Sequence, residues 1–233
     1  MHQLTPERRF ADLLAADGAR PFVTYYDEAT GERSELSLKS LGNWVAKTRN
    51  LLGDELGLGL GDTAVVALPA HWLTVPVVLG CLAAGLTVAE RGRGDVGFGV
   101  PDTLDMLDTL DTYAVNPERG AVGFGDSAPG GALDYVVAVR PQADAWGGVA
   151  MPASPGNAAT PLQSRADALA EAATRAAELG LAEGGRLLVT GDASWHDTVL
   201  VPLAAGGSVV IVRNADDDVL ARRVQQERVT ARV

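Results

Sequence analysis

Two stretches of this chain repeat one pattern. Residues 61–90 open on Gly61-Asp62, pass through the apolar run 63–68 to Pro69, and continue as a long apolar helix-like segment. They stop at Ala83-Ala84-Gly85 and finish on the apolar run 86–89. Residues 184–213 do the same: Gly184-Gly185, the run 186–190, a helix-like segment, the stop Ala204-Ala205-Gly206-Gly207, and Ser208-Val209-Val210-Ile211. Strand, helix, small-residue stop and strand make a βαβ unit, in which the crossover lets the two strands run parallel. Two such units predict an α/β fold with mainly parallel β-sheets flanked by helices, arranged as two related βαβ-containing subdomains.

The intervening segments extend this plan. Thr5-Pro6 starts a helix that ends before Gly18. Residues 22–27 alternate as a strand, Glu28-Ala29-Thr30-Gly31 turns it, and residues 32–36 return, giving an N-terminal β-hairpin. Ser37 caps a helix to about residue 52, with Leu38, Leu41, Val45, Thr48 and Leu52 on one stripe. Asp102, Asp105, Asp108 and Asp111 recur every third residue. At about 100° per residue they fan over half a helix surface, too widely to converge on one ion. They read as the solvated face of a short amphipathic helix that buries Leu104, Leu107 and Leu110. The glycines Gly92, Gly94, Gly97 and Gly99 lack the strand-then-helix setting of a dinucleotide fingerprint and read as a loop. Residues 133–139 read as a strand, 150–163 as a loop, and 164–179 as an Ala-rich helix stopped by Gly180. Asn214 caps a helix to about residue 227, and 229–233 begin another strand. The expected subdomains are 1–150, with the hairpin and an acidic Gly-rich insert, and 151–233.

The formal charge of −11 argues against a nucleic-acid partner, which needs cationic surface, and equally against an anionic membrane surface. Cys81 is the single cysteine, so no intrachain disulfide and no Cys-rich metal site exists. With no apolar core of a signal peptide near Met1, the expected setting is cytoplasmic. Residues 63–89 carry no Asp, Glu, Lys or Arg and are long enough to span a bilayer. Pro69 and Pro76 interrupt them, so they read as a buried strand followed by a buried helix.

Taken in order, these landmarks resemble the N-terminal part of the adenylate-forming, AMP-binding superfamily of acyl-CoA synthetases and adenylation domains. Residues 21–27, 32–36 and 37–41 are similar to that family's opening hairpin and first helix. Gly61-Asp62, Leu68-Pro69 and Ala84-Gly85 are similar to its first βαβ unit, and 183–189, 202–211 and Glu227-Arg228-Val229-Thr230 to its second. The resemblance implies a Ser/Thr/Gly-rich phosphate loop ending in Pro-x-Lys, whose amides and hydroxyls cradle ATP. The matching stretch is 153–163, with Ser154, Gly156, Asn157 and Thr160 as the candidate phosphate-loop residues. Gln163 stands in place of the lysine, and Pro155 removes an amide donor. The family's magnesium, ribose and C-terminal lysine motifs find no match within the 233 residues.

The resemblance also implies an acyl pocket lined by Trp195-His196, and His71-Trp72 takes the equivalent place in the first repeat. These four are the candidate acyl or ligand pocket. The alternative is that Ser194 or Asp192 caps a helix and both tryptophans fill core space above the strand ends. Asp192, Ser194, His196 and Asp197 lie too close in sequence to favour a Ser-His-Asp triad. The leading expectation is a non-catalytic binding or regulatory module that needs no cofactor. The alternative is one piece of a split adenylate-forming enzyme, using ATP or AMP with magnesium. Either expectation includes a homo-oligomer or a partner protein at the C-terminal sheet edge.

Overall fold

The computed structural model describes residues 4–118, 121–124, 128–145 and 161–233. In chain order the elements are α1 (Pro6–Ala16), β1 (Pro21–Asp27), β2 (Glu32–Ser37), α2 (Leu38–Asn50), β3 (Thr63–Ala67), α3 (Thr74–Ala84), β4 (Thr87–Ala89), β5 (Arg93–Gly99), β6 (Asp108–Ala114), β7 (Leu133–Asp134), α4 (Tyr135–Val139), α5 (Pro161–Glu178), β8 (Arg186–Thr190), α6 (Val201–Ala204), β9 (Ser208–Arg213), α7 (Asp217–Gln226) and β10 (Ala231–Arg232). Both predicted βαβ units are present: β3 and β4 pair in parallel, as do β8 and β9. Among the described residues no helix is long and apolar enough to cross a membrane, and residues 63–89 divide into strand, helix and strand.

The chain separates into two units. The first comprises Met1–Leu41, Pro69–Val75 and Ala166–Val233. Its five-stranded sheet has the order β10-β8-β9-β1-β2, parallel except for the antiparallel β1–β2 hairpin. Leu187, Val189, Val209 and Ile211 are fully buried, as expected of parallel strands covered on both faces. On one face Tyr26, Leu188, Val210 and Val212 pack against Ala215, Leu220, Val224 and Val229. The hairpin therefore belongs to the sheet of the second βαβ unit, not to a first subdomain ending at residue 150. β1 finds its partner in β9, a pairing that no local pattern announces.

The second unit comprises Gly42–Leu68 and Pro76–Arg165, with a wholly parallel sheet ordered β4-β3-β5-β6-β7. Here several expectations are corrected. The glycine run read as a loop is β5, a central strand. A Cβ on Gly94 would lie 2.8 Å from Val65 Cγ2, and one on Gly97 would lie 2.6 Å from Thr109 Oγ1. The glycines admit close neighbours, which is their usual meaning inside a strand. The Asp102–Asp111 helix ends as a 3₁₀ turn at Met106, and Asp108 and Asp111 lie on β6. Residues Thr109, Thr112 and Tyr113 suit a pleated surface better than a helix. The strand expected over 133–139 stops at Asp134, whose Oδ1 accepts the amides of Val136 (2.9 Å) and Val137 (3.2 Å) and so caps α4. In the first unit, the cap of α7 is Asp216, accepting the Val219 amide at 2.8 Å, and not Asn214. Asn214 instead takes a left-handed φ of 56°.

Candidate functional site

The carboxyl ends of parallel strands are where doubly wound sheets bind ligands. In the first unit, β1 ends on Asp27, β8 on Thr190 and β9 on Arg213, and Asp27 is the register partner of Arg213. The segment Pro69–Val75 joins this edge through the Ala70 amide, which donates to Gly191 O at 3.1 Å. His71 follows immediately and is 2% exposed. Its ring meets that of Tyr25 edge-on, with centroids 4.6 Å apart.

The Leu73 amide donates to His71 Nδ1 at 3.1 Å, which puts the ring proton on Nε2. Burial, reinforced by Arg213, pushes the imidazole down to about 3, so His71 is neutral at ordinary pH. Nε2 finds no hydrogen-bond partner among the described residues, whereas the hydroxyl of the fully buried Tyr25 interacts with Arg213. Burial pushes that hydroxyl up to about 12 while Arg213 pulls it back. A buried donor without a partner costs about 1–3 kcal/mol, so the bare Nε2–H of His71 calls for an explanation.

Arg213 is half-buried and forms no ion pair among the described residues. Its stem lies over Gly191, where an added Cβ would come within 3.2 Å of Arg213 Cγ. Asp27 accepts from Asn214 Nδ2 at 2.8 Å and from the Ala29 amide at 3.0 Å. Burial would raise its carboxyl, but Asn214, the Ala29 amide and Arg213 outweigh that and hold it below the usual range. A polar groove of about 440 Å³ opens here, lined by Thr190, Gly191, Asp192, Arg213, Asn214 and Leu220 among others.

Of the sequence-selected residues, His71 lies in this cluster and Trp72 packs beside it, 4% exposed, with ring centroids 5.8 Å apart. Trp195 and His196 lie in the same unit, just beyond β8, with centroids 6.2 Å apart. Ser194 Oγ accepts the Asp197 amide at 3.1 Å, so Ser194 is the cap. His196 Nδ1 is 3.9 Å from Asp197 Oδ1, beyond hydrogen-bond range, and Asp197 instead accepts from Arg175 Nε at 3.3 Å. That is no triad. Trp195 Nε1 is buried without a partner. Ser154, Gly156, Asn157 and Thr160 lie outside the described residues; α5 starts at Pro161, so position 163 falls in its first turn. Sequence reasoning missed Tyr25 and Arg213. Their signal is positional: Arg213 is the last residue of a parallel strand, and Tyr25 lies two residues before the end of another.

No family model matches the chain. A TIGR03089 family protein of Mycobacterium tuberculosis is 38% identical over 232 residues, covering 94% of this chain and 93% of the relative. The chain belongs to the TIGR03089 family. Among solved structures, an acyl-CoA synthetase of Brucella canis superposes with a TM-score of 0.73 at 15% identity, covering 98% of this chain and 47% of that one. Acetoacetyl-CoA synthetase from Streptomyces lividans gives 0.70 at 18% identity, covering 97% and 42%. The anthranilate CoA ligase AuaEII, in complex with anthranoyl-AMP, gives 0.66 at 13% identity, covering 97% and 48%. This TIGR03089 family member therefore has the adenylate-forming fold that its sequence resembles, and it spans less than half the length of the solved chains it matches.

The stretch 153–163, which the resemblance matches to a phosphate loop, holds no cationic side chain, and Pro155 has no amide to donate. Among the described residues no group of three or more His, Cys, Asp or Glu side chains could hold a metal.

Proposed function

We propose that this chain is a non-catalytic binding or regulatory module built on the adenylate-forming fold. The observation that carries the reading is Gln163, a neutral side chain at the phosphate-loop position where the resemblance calls for lysine. An amide cannot offset the charge of a triphosphate as an ammonium does. Ligand binding then falls to the sheet edge of the first unit, where Trp195, His196 and the groove beside Arg213 lie. The test is carboxylate-dependent ATP–pyrophosphate exchange by the purified chain, together with calorimetric titration by Mg·ATP and by AMP. The expected result is no exchange and no nucleotide heat; exchange with any carboxylate overturns the reading.

A second reading, one piece of a split adenylate-forming enzyme, is favoured by β10. Among the described residues it is the outermost strand of its sheet, paired with β8 on one side only, and an open strand edge is a template for another chain. Exchange activity that returns only on adding a co-purifying chain would support it.

A further inference from the structure

We propose that the free edge of β10 takes up an extended acidic strand of a different protein chain, and that its arginines turn away a second copy of this one. The inference concerns association alone, so it stands whether the chain is a binding module or one piece of a split enzyme.

Among the described residues β10 pairs with β8 on one side only, which leaves backbone donors and acceptors for one more strand. Residues 228–233, which form this edge, carry two arginines and no Asp or Glu, in a chain of formal charge −11. Ala231 turns inward and is buried, while Arg232 is exposed. Arg232 is the register partner of Leu188, which packs under α7, so its side chain stands on that face at the margin of the sheet. Arg228, also exposed, lies in the turn that feeds the strand, where its amide donates to Gln225 O at 3.3 Å. Neither arginine forms an ion pair among the described residues. The adjacent carboxylate is already engaged, since Glu227 accepts from both Tyr26 and Arg186.

The charges choose the occupant. An open edge offers main-chain hydrogen bonds to any extended segment, so selection rests on the side chains beside it. Two copies joined through β10 would set the Arg232 of each against the same short edge of the other, and like charges across a strand pair are destabilising. A strand carrying Asp or Glu at the facing positions gains cross-strand pairs instead. Arg228 and Arg232 also steer such a strand inward, while the acidic balance of the whole chain works against its docking elsewhere.

The test uses a defined acidic edge as its probe: this same chain carrying Arg228→Glu and Arg232→Glu. Sedimentation velocity is measured on the wild type, on the reversed variant and on their equimolar mixture. The expected result is that each alone stays monomeric while the mixture forms a one-to-one complex. That complex should be about tenfold or more tighter than any self-association, and weakened severalfold by about 0.5 M sodium chloride. Arg8→Glu with Arg91→Glu gives the same net charge away from the edge and should form no complex with the wild type. Arg232→Glu alone is a second probe, should the double reversal fail to fold, and its complex with the wild type should be weaker but still salt-sensitive. No mixed complex with either probe, an equal complex with the Arg8→Glu/Arg91→Glu variant, or a wild-type dimer as tight as the mixed one each overturn the proposal. None of these outcomes depends on exchange activity, so the failure of the proposal and the failure of the functional reading are told apart.

Discussion

Gly80 of α3 rests directly against Thr48 of α2: a Cβ at Gly80 would lie 2.4 Å from Thr48 Cβ and 2.5 Å from its Cγ2. Thr48 cannot swing away, because its Oγ1 donates to Trp44 O at 2.9 Å and meets the Tyr135 hydroxyl at 2.7 Å in a fully buried site. Replacing a helical glycine by alanine ordinarily stabilises by about 1 kcal/mol through propensity. Here the overlap wins. Gly80→Ala should destabilise the chain by about 1–3 kcal/mol in urea denaturation. Adding Thr48→Ala should not restore stability, since the Cβ in conflict remains; full recovery in the double variant would show that only the methyl was in the way.

The neutral His71 predicts an acid sensitivity of the fold. In the folded chain its pKa lies near 3, against an ordinary value of 6.5. Between those values the unfolded chain binds a proton that the folded chain refuses, so stability falls as pH drops. The slope is about 1.4 kcal/mol per pH unit for one such group. His71→Asn keeps an acceptor for the Leu73 amide and removes the titration. Its stability should therefore be flatter than the wild type's between about pH 6.5 and 5.5, where Asp and Glu protonate little. Parallel profiles for the two proteins would mean that His71 is not held neutral.

The βαβ units were legible because each joins an uninterrupted apolar run to a glycine stop, and β3, α3, β4 and β8, α6, β9 follow that punctuation. β5 was not legible, because Gly94 and Gly97 serve tight packing against Val65 and Thr109, neighbours from other strands that the local sequence does not show. β6 misled through its aspartates, whose spacing of three imitates a helix while Thr109, Thr112 and Tyr113 carry the strand. The sheet membership of the hairpin was hidden for a similar reason, since β9 lies far along the chain from β1. Within the candidate site, His71, Trp195 and His196 stood out by residue type and position. Tyr25 did not, because only folding buries its hydroxyl and brings it to Arg213, far along the chain.

On the other face of the same sheet, Glu227 accepts from both Tyr26 and Arg186 in short hydrogen bonds. Arg33 donates to the Tyr26 hydroxyl at 3.1 Å, and the Arg223 guanidinium lies 3.8 Å over the Tyr26 ring. Burial would raise the Glu227 carboxyl, but Tyr26 and Arg186 outweigh it and hold it low. Its stabilisation is therefore complete above the ordinary glutamate range and lost as pH falls through it and below, a window lower than that of His71. Glu227→Gln should cost about 1–3 kcal/mol at neutral pH, leaving Arg186 without its counter-charge. Thermal denaturation at pH 7 checks this, and the difference between the proteins should shrink below pH 4. A constant difference across that range would assign the loss to packing rather than charge.

Gly191 offers a way to move Arg213 without altering its chemistry. The glycine leaves the room in which the arginine stem lies, with Cγ 3.2 Å and Nε 3.4 Å from where a Cβ would stand. Its carbonyl also holds the Ala70 amide, so the backbone is anchored and the side chain must yield. Gly191→Ala should displace the guanidinium by a few tenths of an ångström or more while leaving the fold intact, because the atoms that give way belong to a flexible, half-buried chain. The expected outcome is a shifted Arg213 Nε–H signal in nitrogen-edited NMR at almost unchanged melting temperature. An unshifted signal would mean that the arginine stem does not lie over Gly191.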